Sequence, residues 1–261
     1  MTQRLLTPDK LDAFAHEGYL VLERVLPPDL LAALRAEANH ALQWHEGEIA
    51  AQKTVDRLNY VGEHYFIPGR SRERPALADY LRSDLMVECA KALVGLEAYL
   101  FIELFVLKLP HNRVPFGWHQ DHGYVDAYGY GHYAPNLSLW TALDDVTAEN
   151  GALEVLPFTQ RRFDAVPPHC QDEHGNFVAD FGSPAGTLLP APAGSVILMS
   201  GLLPHRSGLN ASDAVRRAYL CQFSPRPVLD DLGRPIQMAV PLLRDGRAVR
   251  EPENSVDNSE R

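Results

Sequence analysis

The residues best suited to chemistry in this 261-residue chain are His119 and Asp121, which stand two positions apart in the segment WHQDHG. We predict a strand from Gly117 to Gly123, and alternate residues of a strand point to the same face. An imidazole and a carboxylate on one face are two adjacent ligands for a metal ion, and the 2-His-1-carboxylate set needs one more histidine. A single His-x-Asp pair is expected about once by chance in such a chain, so an exposed polar strand or turn remains the alternative.

His205 is the candidate for the missing histidine. It follows the apolar segment Ser195–Met199 and opens a turn rich in glycine and serine. A histidine there would lie at the rim of a strand, where a binding site can form, although a histidine in a surface turn is the alternative. His122 is predicted to face away from Asp121 by strand alternation, as a structural residue rather than a ligand.

Arg216 and Arg217 are neighbours in a predicted strand, so one side chain points inward and the other outward. An inward arginine needs a partner, because burying its charge alone costs too much free energy. A carboxylate bound through two parallel hydrogen bonds is the natural partner, and it could belong to a ligand. An internal aspartate or glutamate partner, or two exposed arginines, are the alternatives.

The elements that must position these residues begin with a helical N-terminal third. Thr7-Pro8-Asp9 has the signature of a helix start and Gly18 that of a helix end, followed by a short strand at Tyr19–Leu22. A second helix is predicted from Pro28, and further helical spacing of apolar residues runs from about Pro75 to Leu93.

From residue 98 the pattern changes to short strands separated by glycine and proline. The predicted strands are Tyr99–Leu109, Gly117–Gly123, Leu137–Leu143, Leu153–Leu156, Ser195–Met199 and Arg216–Phe223. Many short strands of this kind favour a sandwich or a barrel, so the fold class is mainly β with flanking helices. We expect residues 1–250 to form a single domain and residues 251–261 to be a polar, disordered tail.

The composition excludes several classes of partner. Acidic side chains number 34 against 24 basic ones, the formal net charge is −10, and only four residues are lysine. This balance argues against nucleic acid and anionic membranes as partners. No stretch of 18 apolar residues and no export signal is present, so the cytoplasm is the expected location. Three separated cysteines without a CxxC pair fit a reducing compartment rather than a disulfide framework.

Taken together, the candidate residues resemble the phytanoyl-CoA dioxygenase-like family of Fe(II)/2-oxoglutarate-dependent oxygenases. The residues that carry the resemblance are His119, Asp121, His205, Ser207 and Arg216. The segment Trp140–Pro157 (WTALDDVTAENGALEVLP) is similar to the family's central stretch, and Phe14–Leu22 (FAHEGYLVL) is similar to its opening. The likeness runs from about Leu6 to Phe223, which is most of the chain.

The resemblance implies a double-stranded β-helix, also called a jelly-roll or cupin-like core, with an N-terminal helical segment. It implies a catalytic iron and a bound co-substrate, 2-oxoglutarate. The implied metal ligands are His119, Asp121 and His205, and the implied co-substrate contacts are Arg216, Ser207, Trp140 and Leu104.

The implied reaction uses Fe(II), 2-oxoglutarate and O2, hydroxylates a small-molecule metabolite, and releases succinate and CO2. Desaturation, epoxidation and ring formation remain open. Asp121 argues against halogenation, because halogenating relatives have a small residue in that position. The alternative is a metal-dependent cupin-type isomerase or hydrolase that uses the same ligands without 2-oxoglutarate.

Two segments bear on the substrate. The loop Tyr124–Tyr133 contains four tyrosines and could close over the metal as a lid, or simply pack onto the barrel. The basic segment Gly69–Arg74 could meet an anionic group, although a solvated loop is favoured. The sequence names neither the substrate nor the oligomeric state.

Overall fold

The computed structural model describes residues 4–50, 62–127, 137–161, 166–182, 184–230, 232–235 and 238–249. The predicted tail at 251–261 and most of the loop predicted as a lid, residues 128–133, lie outside the described residues.

The described chain forms five helices and fourteen strands. The helices are α1 (Pro8–Glu17), α2 (Pro28–Ala50), α3 (Pro75–Leu81), α4 (Asp84–Leu93) and α5 (Asp121–Ala127). The strands are β1 (Tyr19–Leu22), β2 (His64–Pro68), β3 (Ala98–Lys108), β4 (Phe116–His119), β5 (Leu137–Ala142), β6 (Leu153–Val155), β7 (Cys170–Gln171), β8 (Phe177–Val178), β9 (Thr187–Leu189), β10 (Val196–Ser200), β11 (His205–Ser207), β12 (Arg216–Ser224), β13 (Val240–Arg244) and β14 (Arg247–Ala248).

Two antiparallel sheets form the core. The larger sheet has the order β1-β10-β5-β12-β3-β13-β14, with β2 also paired to β3, and the smaller sheet has the order β4-β11-β6-β9. Apolar residues from the inner faces of both sheets form one packed cluster. This arrangement confirms the predicted double-stranded β-helix with flanking helices.

Strand alternation divides the large sheet into two different faces. On β12, Tyr219, Cys221 and Phe223 join an apolar cluster with side chains of α2, α3 and α4, while Ala218 joins the cluster between the sheets. Because successive side chains of a strand point to opposite faces, the helices cover one face and leave the other for the small sheet and the site.

The structure corrects three of the predicted elements. The strand expected over Gly117–Gly123 ends at His119, and Asp121 begins α5 instead. The helical pattern from Pro75 to Leu93 is broken into two helices, because Ser83 leaves the helical conformation and accepts a hydrogen bond from the backbone N–H of Met86. The predicted turn at His205 is instead the short strand β11.

All three cysteines are free. Within the part of the chain that the structure describes, we find no helix with the length and apolar character needed to cross a membrane.

Gly18, at the end of α1, contacts the segment that precedes His205. Its backbone is left-handed, with φ of +82°, and its carbonyl accepts a hydrogen bond from the N–H of Ser200. A Cβ atom at this position would lie 2.9 Å from the ring of Phe158 and 3.0 Å from the side chain of Leu203. The chain therefore needs a glycine here for two reasons, the backbone conformation and the close packing.

We expect Gly18→Ala to lower the free energy of unfolding by about 2–4 kcal/mol, since it adds overpacking to backbone strain. Gly194→Ala is the matched control, because Gly194 has a φ of +83° but its nearest Cβ neighbour, on Leu31, would be 3.5 Å away. The control should lose about 1 kcal/mol. Urea denaturation measures both values, and equal losses would contradict the packing argument.

One end of the large sheet carries a row of buried basic side chains. His64 of β2 pairs with Lys108 of β3, and Lys108 pairs with Arg216 of β12. Burial, followed by the charges of Lys108, His174 and Arg216, lowers the pKa of His64 to about 4. Burial and then Arg216 also lower the pKa of Lys108 well below its ordinary value. This end of the sheet therefore disfavours added positive charge.

We expect His64→Gln to weaken the acid sensitivity of the fold. Because the pKa of His64 is lower in the folded chain than in the unfolded chain, the unfolded chain binds the proton more tightly. The free energy of unfolding then falls as the pH drops from about 6.5 to about 4, and His64 accounts for about 2 kcal/mol of that fall. Urea denaturation across this range should give a shallower pH dependence for the variant.

His16→Gln, at an exposed position of α1, is the control and should keep the wild-type pH dependence. If the free energy of unfolding of His64→Gln and of the wild type changed with pH in parallel, His64 would not contribute to the acid sensitivity of the fold.

Candidate metal site

Three side chains from separate places in the fold converge between the two sheets. His119 is the last residue of β4, Asp121 is the first residue of α5, and His205 is the first residue of β11. β4 and β11 are neighbours in the small sheet, and His119 pairs with His205 in their register. Cross-strand pairing therefore brings the two histidines together, and the turn after β4 adds the aspartate.

The geometry of these three side chains suits a metal ion. One ligand atom from each lies within 4.8 Å of the other two. Asp121 Oδ1 is 3.9 Å from Nε2 of His119 and 3.7 Å from Nε2 of His205. All three residues are less than 10% exposed. Two imidazoles and one carboxylate on one side of a metal ion leave its other positions open, which is the ligand set of non-haem Fe(II) oxygenases.

Backbone carbonyls orient both imidazole rings. Nδ1 of His119 is 2.9 Å from the carbonyl oxygen of Gly117, and Nδ1 of His205 is 3.0 Å from that of Leu203. A ring that donates from Nδ1 has its Nε2 lone pair available for a metal ion. Burial, followed by the nearby His205, lowers the pKa of His119 well below its ordinary value, which favours the neutral form that binds metals.

Asp121 is oriented by a hydrogen-bond chain that the sequence analysis did not identify. The hydroxyl of Ser138 donates to Asp121 Oδ2, and the side-chain amide of Gln222 donates to Ser138 Oγ at 3.1 Å. Ser138 and Gln222 are register partners on β5 and β12. Their pairing holds one carboxylate oxygen and leaves Oδ1 facing the two histidines. Only the strand register brings these positions together, so spacing in the sequence gives no signal for them.

Arg216 is the buried cation next to this site. It is 1% exposed, and its strongest described contact is a 3.5 Å hydrogen bond from Nη1 to the carbonyl oxygen of Val106. Its Nε atom has no hydrogen-bond partner among the described residues, and the guanidinium lies 5.2 Å from the ring centre of Trp140. Burial lowers the pKa of Arg216 to about 10.

Arg217 is fully paired on the opposite face of the same strand. Its guanidinium binds both carboxylate oxygens of Asp144, at 2.7 and 2.9 Å, and donates to Asn39 at 2.7 Å. The prediction that one arginine points inward and the other outward is confirmed. The nearby internal carboxylate therefore belongs to Arg217. Among the described residues, no carboxylate lies within ion-pair distance of the Arg216 guanidinium.

A cavity of about 360 Å³ connects the candidate metal ligands with Arg216. All seven residues predicted for the site line it, namely His119, Asp121, His205, Arg216, Ser207, Trp140 and Leu104. Tyr124, from the loop predicted as a lid, also lines it and packs edge-on against His119, with ring centres 5.6 Å apart.

Two features of the cavity were absent from the sequence analysis. Phe101 and Gln222 line its wall, and Lys108 lies buried beside it, donating to the carbonyl oxygens of Ser207 and Gly208. Lys108 therefore ties the large sheet to the segment that follows His205. The tertiary contacts of a buried lysine or glutamine have no signature in the sequence.

The basic segment Gly69–Arg74 does not contribute to the cavity. Arg74 pairs with Glu37 of α2 at 2.6 Å, and Arg70 lies 4.1 Å over the ring of Trp44 on the same helix. The backbone N–H and hydroxyl of Ser71 both donate to the buried Glu103. This segment is attached to the outer, helix-covered side of the large sheet.

Comparisons with known proteins agree with this geometry. The phytanoyl-CoA dioxygenase (PhyH) family profile matches residues 14–218. The dioxygenase hkm4 of Aspergillus hancockii is 27% identical over 254 residues, covering 90% of this chain and 77% of that protein. The L-proline trans-4-hydroxylase of Streptomyces griseoviridis is 30% identical over 192 residues, covering 66% of this chain and 70% of that enzyme.

The fold has close counterparts among solved structures. EvdO2 from Micromonospora carbonacea var. aurantiaca, crystallised in complex with 2-oxoglutarate, superposes with a TM-score of 0.62 at 23% identity and covers 95% of each chain. The family match spans most of the sequence and includes all seven residues that were predicted for the site. The chain therefore belongs to the phytanoyl-CoA dioxygenase (PhyH) family of Fe(II)/2-oxoglutarate-dependent oxygenases.

Proposed function

We propose that this oxygenase hydroxylates a small-molecule metabolite in the cavity between the two sheets. In this proposal His119, Asp121 and His205 hold Fe(II), and Arg216 binds the distal carboxylate of 2-oxoglutarate with Ser207 beside it. Trp140 and Leu104 form the walls of the co-substrate pocket.

The observation that carries the proposal is the buried Arg216 charge without a carboxylate partner among the described residues. An isolated buried cation is costly, and a dicarboxylate entering the cavity would offset that cost. A metal-dependent isomerase or hydrolase with the same three ligands would have no use for this cation. Arg216 therefore favours the 2-oxoglutarate-dependent reaction over that alternative.

A second polar group for such a ligand lies in the cavity that contains Arg216. The hydroxyl of Ser207 lines the same cavity and donates to no described residue, so it is available to a carboxylate oxygen.

When bound, Fe(II) and 2-oxoglutarate supply the oxidation of a substrate C–H bond by O2, with release of succinate and CO2. The chain's own part is to bind and orient. The carbonyls of Gly117 and Leu203 hold the imidazole rings, and the apolar wall keeps water away from the reacting atoms. Asp121 fills the ligand position that a halogenating enzyme would leave open, so we propose hydroxylation.

We expect the anaerobic protein to develop the visible charge-transfer band of the Fe(II)–2-oxoglutarate chelate. Arg216→Ala should weaken 2-oxoglutarate binding by at least about thirtyfold, because it removes one partner of a buried charge pair. Arg217→Ala is the matched control. It lies next to Arg216 but pairs with Asp144 on the other face, so its affinity should stay within about threefold of wild type. Titration of 2-oxoglutarate, followed by the band, measures both.

O2-dependent succinate release should then follow in the wild type and in Arg217→Ala. Absence of the band in the folded wild type, or unchanged 2-oxoglutarate affinity in Arg216→Ala, would rule out the proposed role of the site. Far-UV circular dichroism checks that each variant is folded.

A further inference from the structure

In the hydrogen-bond chain from Gln222 through Ser138 to Asp121, the chemistry of the groups fixes which one donates at each step. A carboxylate that binds a metal ion has no proton to donate, so the single hydroxyl hydrogen of Ser138 must go to Asp121. Ser138 Oγ can then only accept from its other neighbour, so the NH2 of the Gln222 amide must face it, as the 3.1 Å contact shows. The carbonyl oxygen of Gln222 is left as a hydrogen-bond acceptor on the cavity wall, and no described residue donates to it.

A β-bulge places an aromatic ring beside Gln222. In the pairing of β12 with β3, Gln222 faces Ile102 but Phe223 faces Leu100, so Phe101 is an extra residue in β3. Consecutive residues of a regular strand point to opposite faces, yet Phe101 and Ile102 both line the cavity. The bulge re-aims the Phe101 side chain towards the site.

Gln222 and Arg216 lie at opposite ends of the cavity. They are six residues apart on β12, which is about 20 Å along a strand. Leu220 lies between them in the sequence and also lines the cavity. A co-substrate held by Arg216 therefore leaves the Gln222 end for the substrate, on the far side of the metal ligands.

The described wall at the Gln222 end has no charge available for a substrate. Besides Gln222, it is formed by Phe101 and Ile102 of β3 and by Pro68 at the end of β2. Arg206 also lines the cavity, but it pairs with Glu154 at 2.8 Å and lies 4.7 Å over the ring of Trp118. Among the described residues, the ammonium and carboxylate of an amino-acid zwitterion buried here would find no free partners of opposite charge, which is strongly unfavourable.

We propose that the substrate of this oxygenase is an uncharged, largely apolar molecule with a hydroxyl group that donates to the carbonyl oxygen of Gln222. Its apolar body packs against Phe101 and Ile102 in front of the metal. This substrate class rests on the proposed function, because it takes the Arg216 end as the co-substrate site.

A set of probes that share one ring tests this class. The probes are cyclohexylmethanol, its methyl ether, cyclohexylmethylamine and cyclohexanecarboxylate, together with L-proline. Each is titrated anaerobically into the protein loaded with Fe(II) and 2-oxoglutarate, and the shift of the chelate band is followed. The alcohol should bind about fivefold more tightly than the ether, which lacks the donor. The amine, the carboxylate and L-proline should cause no saturable shift.

Variants assign the contacts. Gln222→Met should remove the preference for the alcohol over the ether, because it removes the acceptor. It also removes the donor to Ser138, so the chelate band of this variant is recorded before any probe is added and must match that of the wild type. Phe101→Leu should weaken both probes by about tenfold through lost apolar contact. Phe105→Leu is the matched control, because Phe105 lies on the same strand but packs against Tyr219 on the helix-covered face.

The outcomes separate this inference from the proposed function. A missing chelate band before any probe is added contradicts the proposed function itself. Three results obtained with a normal chelate band would overturn the substrate class alone. The first is that the alcohol causes no shift, and the second is that the wild type binds alcohol and ether with equal affinity. The third is that L-proline or another charged probe shifts the band at a similar concentration.

Discussion

The rest of this structure is arranged around the burial of one positive charge. Arg216 is 1% exposed and has no carboxylate within ion-pair distance in the described chain, while its neighbour Arg217 uses the nearby Asp144. Burying such a side chain without a partner costs free energy, and in the proposed function the carboxylate of the co-substrate offsets that cost. Lys108 and His64 lie in the same row of the sheet, and their pKa values are lowered because positive charge is buried at this end of the sheet.

The two histidines of the candidate metal site are oriented by backbone groups more than by side-chain partners. His119 and His205 each have Nδ1 near a carbonyl two residues back in the chain, and the pairing of β4 with β11 sets them opposite each other. Asp121 depends on Ser138 and through it on Gln222, both on the large sheet. The site therefore exists only where the two sheets meet, and Leu203, which packs near Gly18, links it to the first helix.

Much of the fold and of the site was predictable from the sequence. Strand patterns gave Ala98–Lys108, Leu137–Ala142 and Arg216–Ser224 to within a residue, because buried strands are rich in branched and aromatic side chains. The seven expected site residues do line one cavity. The reason given for His119 and Asp121 was wrong in detail, since a turn into a helix, and not strand alternation, brings the two together. Short elements such as His205–Ser207 carry too few residues for a periodic pattern.

The sequence by itself determined which residues are available for chemistry, namely two histidines, an aspartate and an inward arginine. These residues occur in the same order along the chain as in the family that the sequence resembles. Only the tertiary structure decided which groups support them and what remains available to a substrate. Ser138 is 84 residues from Gln222, and Phe101 enters the cavity through a one-residue bulge. Contacts of this kind depend on strand register and on the direction in which a hydrogen bond is donated. Both are properties of paired backbones in three dimensions, so neither is written in the spacing of residues along a single chain.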